Sequence, residues 1–357
     1  MSATRAEIQR LLDKLELPIM RAFEKAALGL KSRAQINRLA AAIAARDVNA
    51  IAAAVGVRPG TWNDVTESIR SAYYEGGTFT MAADVPPAYG AEFDLANPRA
   101  EAWLRTMSSE FVTRVNLEQI EAIREVLAAG FEAGRNPLEM ALDIAGRISP
   151  VTGRRQGGIV GLNGPQAELS SDMRNALSRT NGVGVLTKSD GTTVKKFWIG
   201  NDGQLKSTYT MRDRRFDATI KKAIETGKPL PKPAVNKIVG RYEDKLLRLR
   251  GETIGRTEAL AALNEASDEA LRQVIDEGLA PATAVKRIWR HSFSLNERSG
   301  HRKMDKQERP VNVPFDNPET GVSLMHPGEG PASEVINCRC IVEHRIDFIA
   351  VEKAKAA

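Results

Sequence analysis

The residues with the most distinctive chemistry lie near the C-terminal end of the chain. Cys338 and Cys340 are its only two cysteines, and His301, His326 and His344 lie nearby in sequence. Zinc prefers cysteine and histidine ligands, usually four in a tetrahedron. Cys338, Cys340, His344 and His301 therefore form a candidate zinc set. A C-x-C pair is tighter than the usual C-x2-C knuckle, so the alternative is two semi-buried thiols at the start of the last strand, with His344 capping or packing.

A second cluster combines Arg298 with His301 and Asp305. A His and an Asp four residues apart on a helical turn suit an acid–base pair or a metal pair. The sequence has no G-x-S-x-G nucleophile elbow and no known catalytic-cysteine pattern to supply a nucleophile. The alternative is that His301 and Asp305 make structural hydrogen bonds in a loop-rich region. We therefore expect no enzyme activity.

A third cluster, Arg256, Thr257 and Glu258, falls inside the longest helical segment. Positions two apart on a helix lie about 200° apart, so Arg256 and Glu258 point to different faces. At least one of them is expected to turn toward the core and to need an ionic or hydrogen-bonding partner. Such a buried polar residue more often fixes packing than performs chemistry. Walker A, Rossmann, H-E-x-x-H and EF-hand motifs are absent.

Charge is concentrated in the middle of the chain. Residues 151–250 hold 20 Lys and Arg against 9 Asp and Glu, a net +11 within a chain of +6. This region could lie against nucleic acid, with phosphate contacts from a basic helical segment. The alternative is a solvated, Lys-rich helical surface. Aromatic residues make up only 5% of the chain and do not interleave the basic ones, so no base-stacking platform is predicted. The candidate DNA or partner contacts are Arg212, Arg214, Arg215, Lys221 and Lys222.

The patterning predicts a mostly α fold with a small C-terminal α+β domain. Residues 1–150 are expected to form a helical N-terminal domain, in which Pro18 interrupts the first helix and Gly76-Gly77 end a later one. A Gly- and Pro-rich stretch, 149–165, is the predicted boundary to a basic connecting region with helices, 151–234. In 235–349, long helices are expected to back a small sheet of strands near 284–292, 311–313 and 341–346. Residues 350–357 are expected to be a flexible tail.

The cellular location is constrained by what the sequence contains. Two cysteines indicate a reducing compartment rather than a disulfide scaffold. The N-terminus alternates charge with leucine and has no apolar signal segment. No run of about 18 apolar residues is present, so a membrane requirement is not expected.

The three clusters occur in an order that resembles the phage Mu protein F-like head morphogenesis family. The resemblance covers roughly residues 240–346, about a third of the chain. The family pattern is a helix with R-T-E, a Trp-containing strand, R-x-x-H, a short Asp turn, P-G and an N-C-R-C strand start. Here it reads Gly255-Arg256-Thr257-Glu258, Ile288-Trp289-Arg290, Arg298-Ser299-Gly300-His301, Met304-Asp305-Lys306-Gln307, His326-Pro327-Gly328 and Val335-Ile336-Asn337-Cys338-Arg339-Cys340.

The resemblance implies a minor capsid protein, made in the host cytoplasm and held in a few copies inside the virion near the portal. Its partners would be the portal protein, the major capsid or scaffolding protein and packaged DNA. It would assist head assembly, DNA packaging or DNA ejection. Apart from the candidate zinc, we expect no cofactor. Two other functions stay open. One is a metal-dependent hydrolase or nuclease using the C-terminal histidines and cysteines. The other is a non-specific nucleic-acid-binding protein using residues 151–250.

Overall fold

The computed structural model of the protein describes residues 3–58, 60–178, 184–187, 191–292 and 297–355. Within them the α-helices are α1 Arg5–Arg33, α2 Ile36–Ala44, α3 Val48–Val55, α4 Asn63–Asp84, α5 Pro98–Glu132, α6 Pro137–Ala145, α7 Gly164–Ser178, α8 Asp217–Thr226, α9 Lys232–Asp276, α10 Ser299–Lys303, α11 Ala332–Val335 and α12 Phe348–Lys355. The strands are β1 Arg147–Ile148, β2 Arg155–Gln156, β3 Val185–Thr187, β4 Thr193–Lys195, β5 Phe197–Ile199, β6 Leu205–Ser207, β7 Val285–Arg290, β8 Glu308–Pro310, β9 Phe315–Asp316, β10 Ser323–Leu324 and β11 Ile341–Ile346.

The protein is mostly α-helical, and the sheets formed by its described residues have two or three strands each. The predicted fold class is therefore confirmed. The largest sheet lies in the C-terminal region and has the antiparallel strand order β11-β7-β8. The longest helix is α9, with 45 residues, as the long apolar periodicity of that segment indicates.

The chain divides into two compact units, each assembled from separate stretches of sequence. Unit 1 comprises Met1–Phe23, Trp62–Phe111 and Gly251–Ala357, and unit 2 comprises Glu24–Thr61 and Val112–Arg250. This organisation differs from the predicted consecutive segments. Each unit therefore joins residues that are distant in sequence, and three of the boundaries between the ranges fall inside the helices α1, α5 and α9.

Unit 1 contains the three-stranded sheet backed by α9. Small side chains on α9, such as Ala266 and Ala270, are fully buried and let other elements approach closely. On β11, the backbone N–H of Val342 donates to Asn264 Oδ1 of α9. Aromatic pairs also contribute to the core; the rings of Phe23 and Trp62, for example, stack at 5.4 Å. The predicted arrangement of a long helix behind a small sheet is present in this unit.

Two predicted helix breaks do not occur. Helix α1 passes through Pro18, and the buried residues Leu15 and Ile19 flank it. The packing of this face offsets the roughly 3 kcal/mol that an interior proline costs a helix. Helix α4 continues through Gly76 and Gly77 to Asp84. A Cβ on Gly76 would lie 3.1 Å from the Cα of Leu263, so this glycine serves close helix packing within unit 1.

The Gly-rich stretch predicted as a boundary lies inside unit 2. Ile159, Val160 and Leu162 are fully buried. The buried Lys31 amine donates to the carbonyl of Gly157 at 2.8 Å. The backbone N–H of Gly158 donates to Glu243 Oε2 at 2.6 Å. The glycines serve a tightly held internal loop, rather than a linker.

The predicted flexible tail also differs from the structure. Helix α12, Phe348–Lys355, covers most of it, and Val351 is 1% exposed. The ring of Phe348 packs 5.3 Å from that of Tyr89. These apolar contacts explain why the end of the described chain is ordered as a helix.

Candidate metal centre

His301, Cys338 and Cys340 meet at one point in unit 1. The short helix α10 carries His301, while Cys338 follows α11 and Cys340 directly precedes β11. Asn337 adopts a left-handed backbone conformation, with φ 58°, and turns the chain between α11 and the two cysteines. Asparagine tolerates this conformation better than most residues. The V-I-N-C-R-C sequence is therefore a turn that presents two thiols to one side.

The three side chains form a compact and buried donor cluster. The Sγ atoms of Cys338 and Cys340 lie 3.5 and 3.7 Å from His301 Nδ1. The candidate ligand atoms all lie within 4.8 Å of one another. Each of the three residues is at most 3% exposed. Both cysteines are free, so their sulfurs are available as ligands.

A carboxylate fixes the other side of the imidazole. His301 Nε2 lies 2.7 Å from Glu334 Oε2, and Asn317 Nδ2 donates to that same oxygen at 3.2 Å. The ring of Trp289 stands edge-on to the imidazole at 5.3 Å between centroids. A proton on Nε2, facing the carboxylate, would direct the Nδ1 lone pair toward the two sulfurs.

The electrostatics of the cluster shift the pKa values of the two thiols in opposite directions. A hydrogen bond with Cys340 lowers the pKa of Cys338 well below its ordinary value, and His301 lowers it further against the opposing effect of burial. The hydrogen bond with Cys338, together with burial, raises the pKa of Cys340. Burial lowers the pKa of His301, but Cys338 and Glu334 outweigh it and the net change is upward.

His344 does not belong to this cluster, contrary to the predicted ligand set. It lies four residues beyond Cys340, and an extended strand rises about 3.3 Å per residue, so the two are about 13 Å apart along β11. Its Nε2 is instead 3.1 Å from Asp268 Oδ1, and its Nδ1 is 3.8 Å from Asp84 Oδ2. The strand period puts both side chains on one face without bringing them together.

His291 is a buried histidine near the cluster that the sequence reasoning missed. It follows β7 directly and is 1% exposed. Burial lowers its pKa and outweighs the charges of Glu297 and Asp305, which raise it. The charge of nearby His301 lowers the pKa further. Its position two residues after Trp289, at the end of a predicted strand, was the available signal. Asp305, the predicted partner of His301, accepts a hydrogen bond from the His291 backbone N–H at 2.9 Å.

Most remaining motif residues connect the same elements of unit 1. Arg256 Nη1 donates to Asn337 Oδ1 at 3.2 Å, and its Nε is 3.6 Å from Glu16 Oε1. Glu258 is buried at 6% exposure, on a different face of α9. The guanidinium of Arg298 donates to the carbonyls of Ser333 and Ile336.

Two other motif residues are placed differently. Thr257 Oγ1 is buried with no hydrogen-bond partner among the described residues. Arg339 is exposed between the two cysteines, and its charge lowers the pKa of Glu16 against the larger effect of burial.

The candidate nucleic-acid contacts in unit 2 are partly neutralised by neighbouring acids. Arg212 pairs with Asp217 at 2.9 Å and has only 11% of its side chain exposed. Arg215 pairs with Asp213 at 2.6 Å, and Lys221 lies 3.7 Å from Glu225. Arg214 and Lys222 are exposed. Internal pairing reduces the positive field that this region offers to phosphates.

The pair of buried His326 and partly buried Glu265 gives a pH-dependent contribution to stability. His326 Nε2 lies 2.9 Å from Glu265 Oε2. Burial lowers the pKa of His326, but Glu265 outweighs it and holds the pKa above its ordinary 6.5. Burial raises the pKa of Glu265, but His326 and Arg272 outweigh it and hold the pKa below 4.5. The pair therefore stabilises fully between these two ordinary values.

We expect His326→Gln to lower the melting temperature more at about pH 5.5 than at about pH 9. The folded state binds the His326 proton more tightly, so this stability is present below pH 6.5 and is lost as pH rises through the raised folded pKa. The Glu265 contribution is lost as pH falls through its lowered pKa. Thermal melts of both proteins across this range measure the difference. An equal loss at both pH values would contradict the pairing.

Comparison of the chain with protein-family models, curated proteins and solved structures gives no match. None of the helices in the described part of the chain has the length and apolar character of a membrane-spanning segment.

Proposed function

We propose that the protein is a minor head protein of the Mu protein F-like type, associated with the portal inside a phage capsid. The observation that carries the proposal is the meeting of motif pieces that are far apart in sequence. Arg256 of α9 contacts Asn337, Trp289 of β7 packs on His301, and His301 contacts both cysteines. If these motif pieces define a family, we expect them to contact one another in a shared core, as they do in unit 1.

The same geometry favours a structural role over hydrolysis. His301 faces two thiols through Nδ1 and a carboxylate through Nε2, so both ring nitrogens are engaged. A general base needs one nitrogen within reach of a substrate proton. The cluster would then stabilise the fold of unit 1, and other surfaces of the protein would contact its partners.

Co-expression with the portal protein of the same phage tests the proposal. We expect the two proteins to co-elute in size-exclusion chromatography, and the complex to persist at high salt. Persistence is expected because Arg212, Arg215 and Lys221 already have acidic neighbours and are poorly suited to drive salt-sensitive binding. Separate elution at both salt concentrations would contradict portal association.

A charge-reversal variant separates the role of the basic region from that of the rest of the chain. Arg214 and Lys222 are exposed, so Arg214→Glu with Lys222→Glu should leave the fold intact. We expect this variant to co-elute with the portal protein as the wild type does. Loss of co-elution would instead assign the contact to the basic region of unit 2.

A further inference from the structure

We propose that His301, Cys338 and Cys340 bind one zinc ion that holds the C-terminal motif residues together. The inference is independent of the phage function, since it rests only on the donor cluster in unit 1. Nitrogen and thiolate donors suit zinc, whereas magnesium and calcium take oxygen ligands.

The distances from the histidine nitrogen to the two sulfurs match a tetrahedral zinc site. Zinc–sulfur and zinc–nitrogen bonds of about 2.3 and 2.0–2.1 Å, at a tetrahedral angle, place sulfur and nitrogen about 3.6 Å apart. The observed distances from His301 Nδ1 are 3.5 Å to Cys338 Sγ and 3.7 Å to Cys340 Sγ. The cluster therefore needs little rearrangement to accept an ion. Three protein ligands leave one corner of the tetrahedron for a further donor.

The surroundings of His301 supply a second, independent argument. A histidine bound to a metal commonly donates its other ring N–H to a carboxylate, which fixes the ring and its tautomer. Glu334 occupies that place, 2.7 Å from Nε2, and Asn317 holds the same carboxylate oxygen. Both residues are buried, at 2–3% exposure. Gly300 leaves no room for a side chain beside Asn317, since a Cβ there would lie 2.3 Å from its Oδ1.

The charge balance of the ion also suits a buried site. Zinc binds both cysteines as thiolates and the imidazole in its neutral form, so the two thiolate charges offset the two positive charges of the ion. Burial of an uncompensated ion would be costly, but this set of ligands leaves no net charge on the centre itself. The ion would join α10 to the turn before β11, two segments separated by more than thirty residues of sequence.

Metal analysis of the wild-type chain is the first test. Protein produced with added zinc and purified under reducing conditions without chelator should contain about one zinc per chain. After chelation, the melting temperature should fall and should recover when zinc is added back. Cobalt(II) added to the protein after zinc removal should bind, and the complex should show the absorption spectrum of a tetrahedral thiolate site. A zinc-free protein that takes up neither metal, with a melting temperature insensitive to chelation, would overturn the proposal.

Variants then locate the ion. Cys338→Ser and Cys340→Ser should each lower the zinc content several-fold. His344→Gln is the matched control, because His344 is also a buried histidine of unit 1 but lies on Asp268. It should retain the wild-type zinc content. Full zinc retention by both serine variants would place the ion elsewhere and overturn the assignment. The wild-type cobalt measurement decides the question if a serine variant fails to fold.

Discussion

Replacing Arg287 with methionine is expected to lower the free energy of unfolding by about 3–5 kcal/mol, because it breaks a fully buried ion pair. Arg287 is 0% exposed and its Nη1 donates to Asp268, which is 1% exposed. Its guanidinium also donates to the carbonyls of Met325, Pro310 and Val313. Methionine fills much of the volume but leaves these acceptors without their donor.

The surrounding network explains why the loss should be large. Arg287 lies opposite His344 in the β7–β11 register, and His344 contacts the same Asp268. Burial raises the pKa of Asp268, but His344 and Arg287 outweigh it and the net change is downward. Without Arg287, the buried carboxylate keeps only part of its compensation.

A matched control separates burial from charge in this experiment. Arg345→Met removes an arginine from the exposed side of β11 and should change stability by no more than about 0.5 kcal/mol. Asp268→Asn combined with Arg287→Met should cost less than the two single changes added together, because the pair interacts directly. Denaturant unfolding of the wild type and of the four variants, which include Asp268→Asn alone, measures these differences. Equal effects of Arg287→Met and Arg345→Met would contradict the buried network.

Replacing Trp289 with alanine is expected to cost about 3–5 kcal/mol, the usual range for deleting a buried aromatic side chain. Trp289 is 0% exposed on β7, and its ring packs edge-on against His301 at 5.3 Å and against Phe315 at 5.4 Å. The change removes the aromatic ring that packs against His301 of the donor cluster. It should therefore also loosen the position of His301.

Trp198 provides the comparison for this second variant. It lies on β5 in unit 2 and is only half-buried, so Trp198→Ala should cost clearly less than Trp289→Ala. Trp289→Phe should retain more of the stability, because it keeps an aromatic ring at the site. Thermal and denaturant unfolding measure all three. If Trp198→Ala lowered stability as much as Trp289→Ala, the packing of Trp289 against His301 would contribute no more to stability than a half-buried position does.

The sequence predicted elements well where periodicity alone decides them. Strands β7 and β11 fall within the predicted 284–292 and 341–346, and α9 covers the longest periodic segment. The sequence predicts a helix end at Gly76 and a boundary around Gly157 and Gly158, but in the structure these glycines lie at close contacts. Local sequence cannot distinguish a glycine that breaks an element from one that allows close packing, because the contact partner lies far along the chain.

The candidate site shows the same limit. The C-x-C spacing and the R-x-x-H segment were visible in sequence, and the structure brings Cys338, Cys340 and His301 together. The fourth predicted ligand, His344, lies on Asp268 instead, because strand alternation fixes the face on which a side chain lies but not its position along the strand. Glu334, which orients His301, had no sequence signal, since a carboxylate on a short helix has no characteristic spacing.

The proposed role as a minor head protein is tested most directly by measuring the protein in purified phage particles. Mass spectrometry of gradient-purified particles should find this chain in a few copies per particle, far below the major capsid protein. It should resist added protease until the particles are opened. A chain that is abundant in the lysate but absent from the particles, or that is digested on intact particles, would contradict an interior head protein.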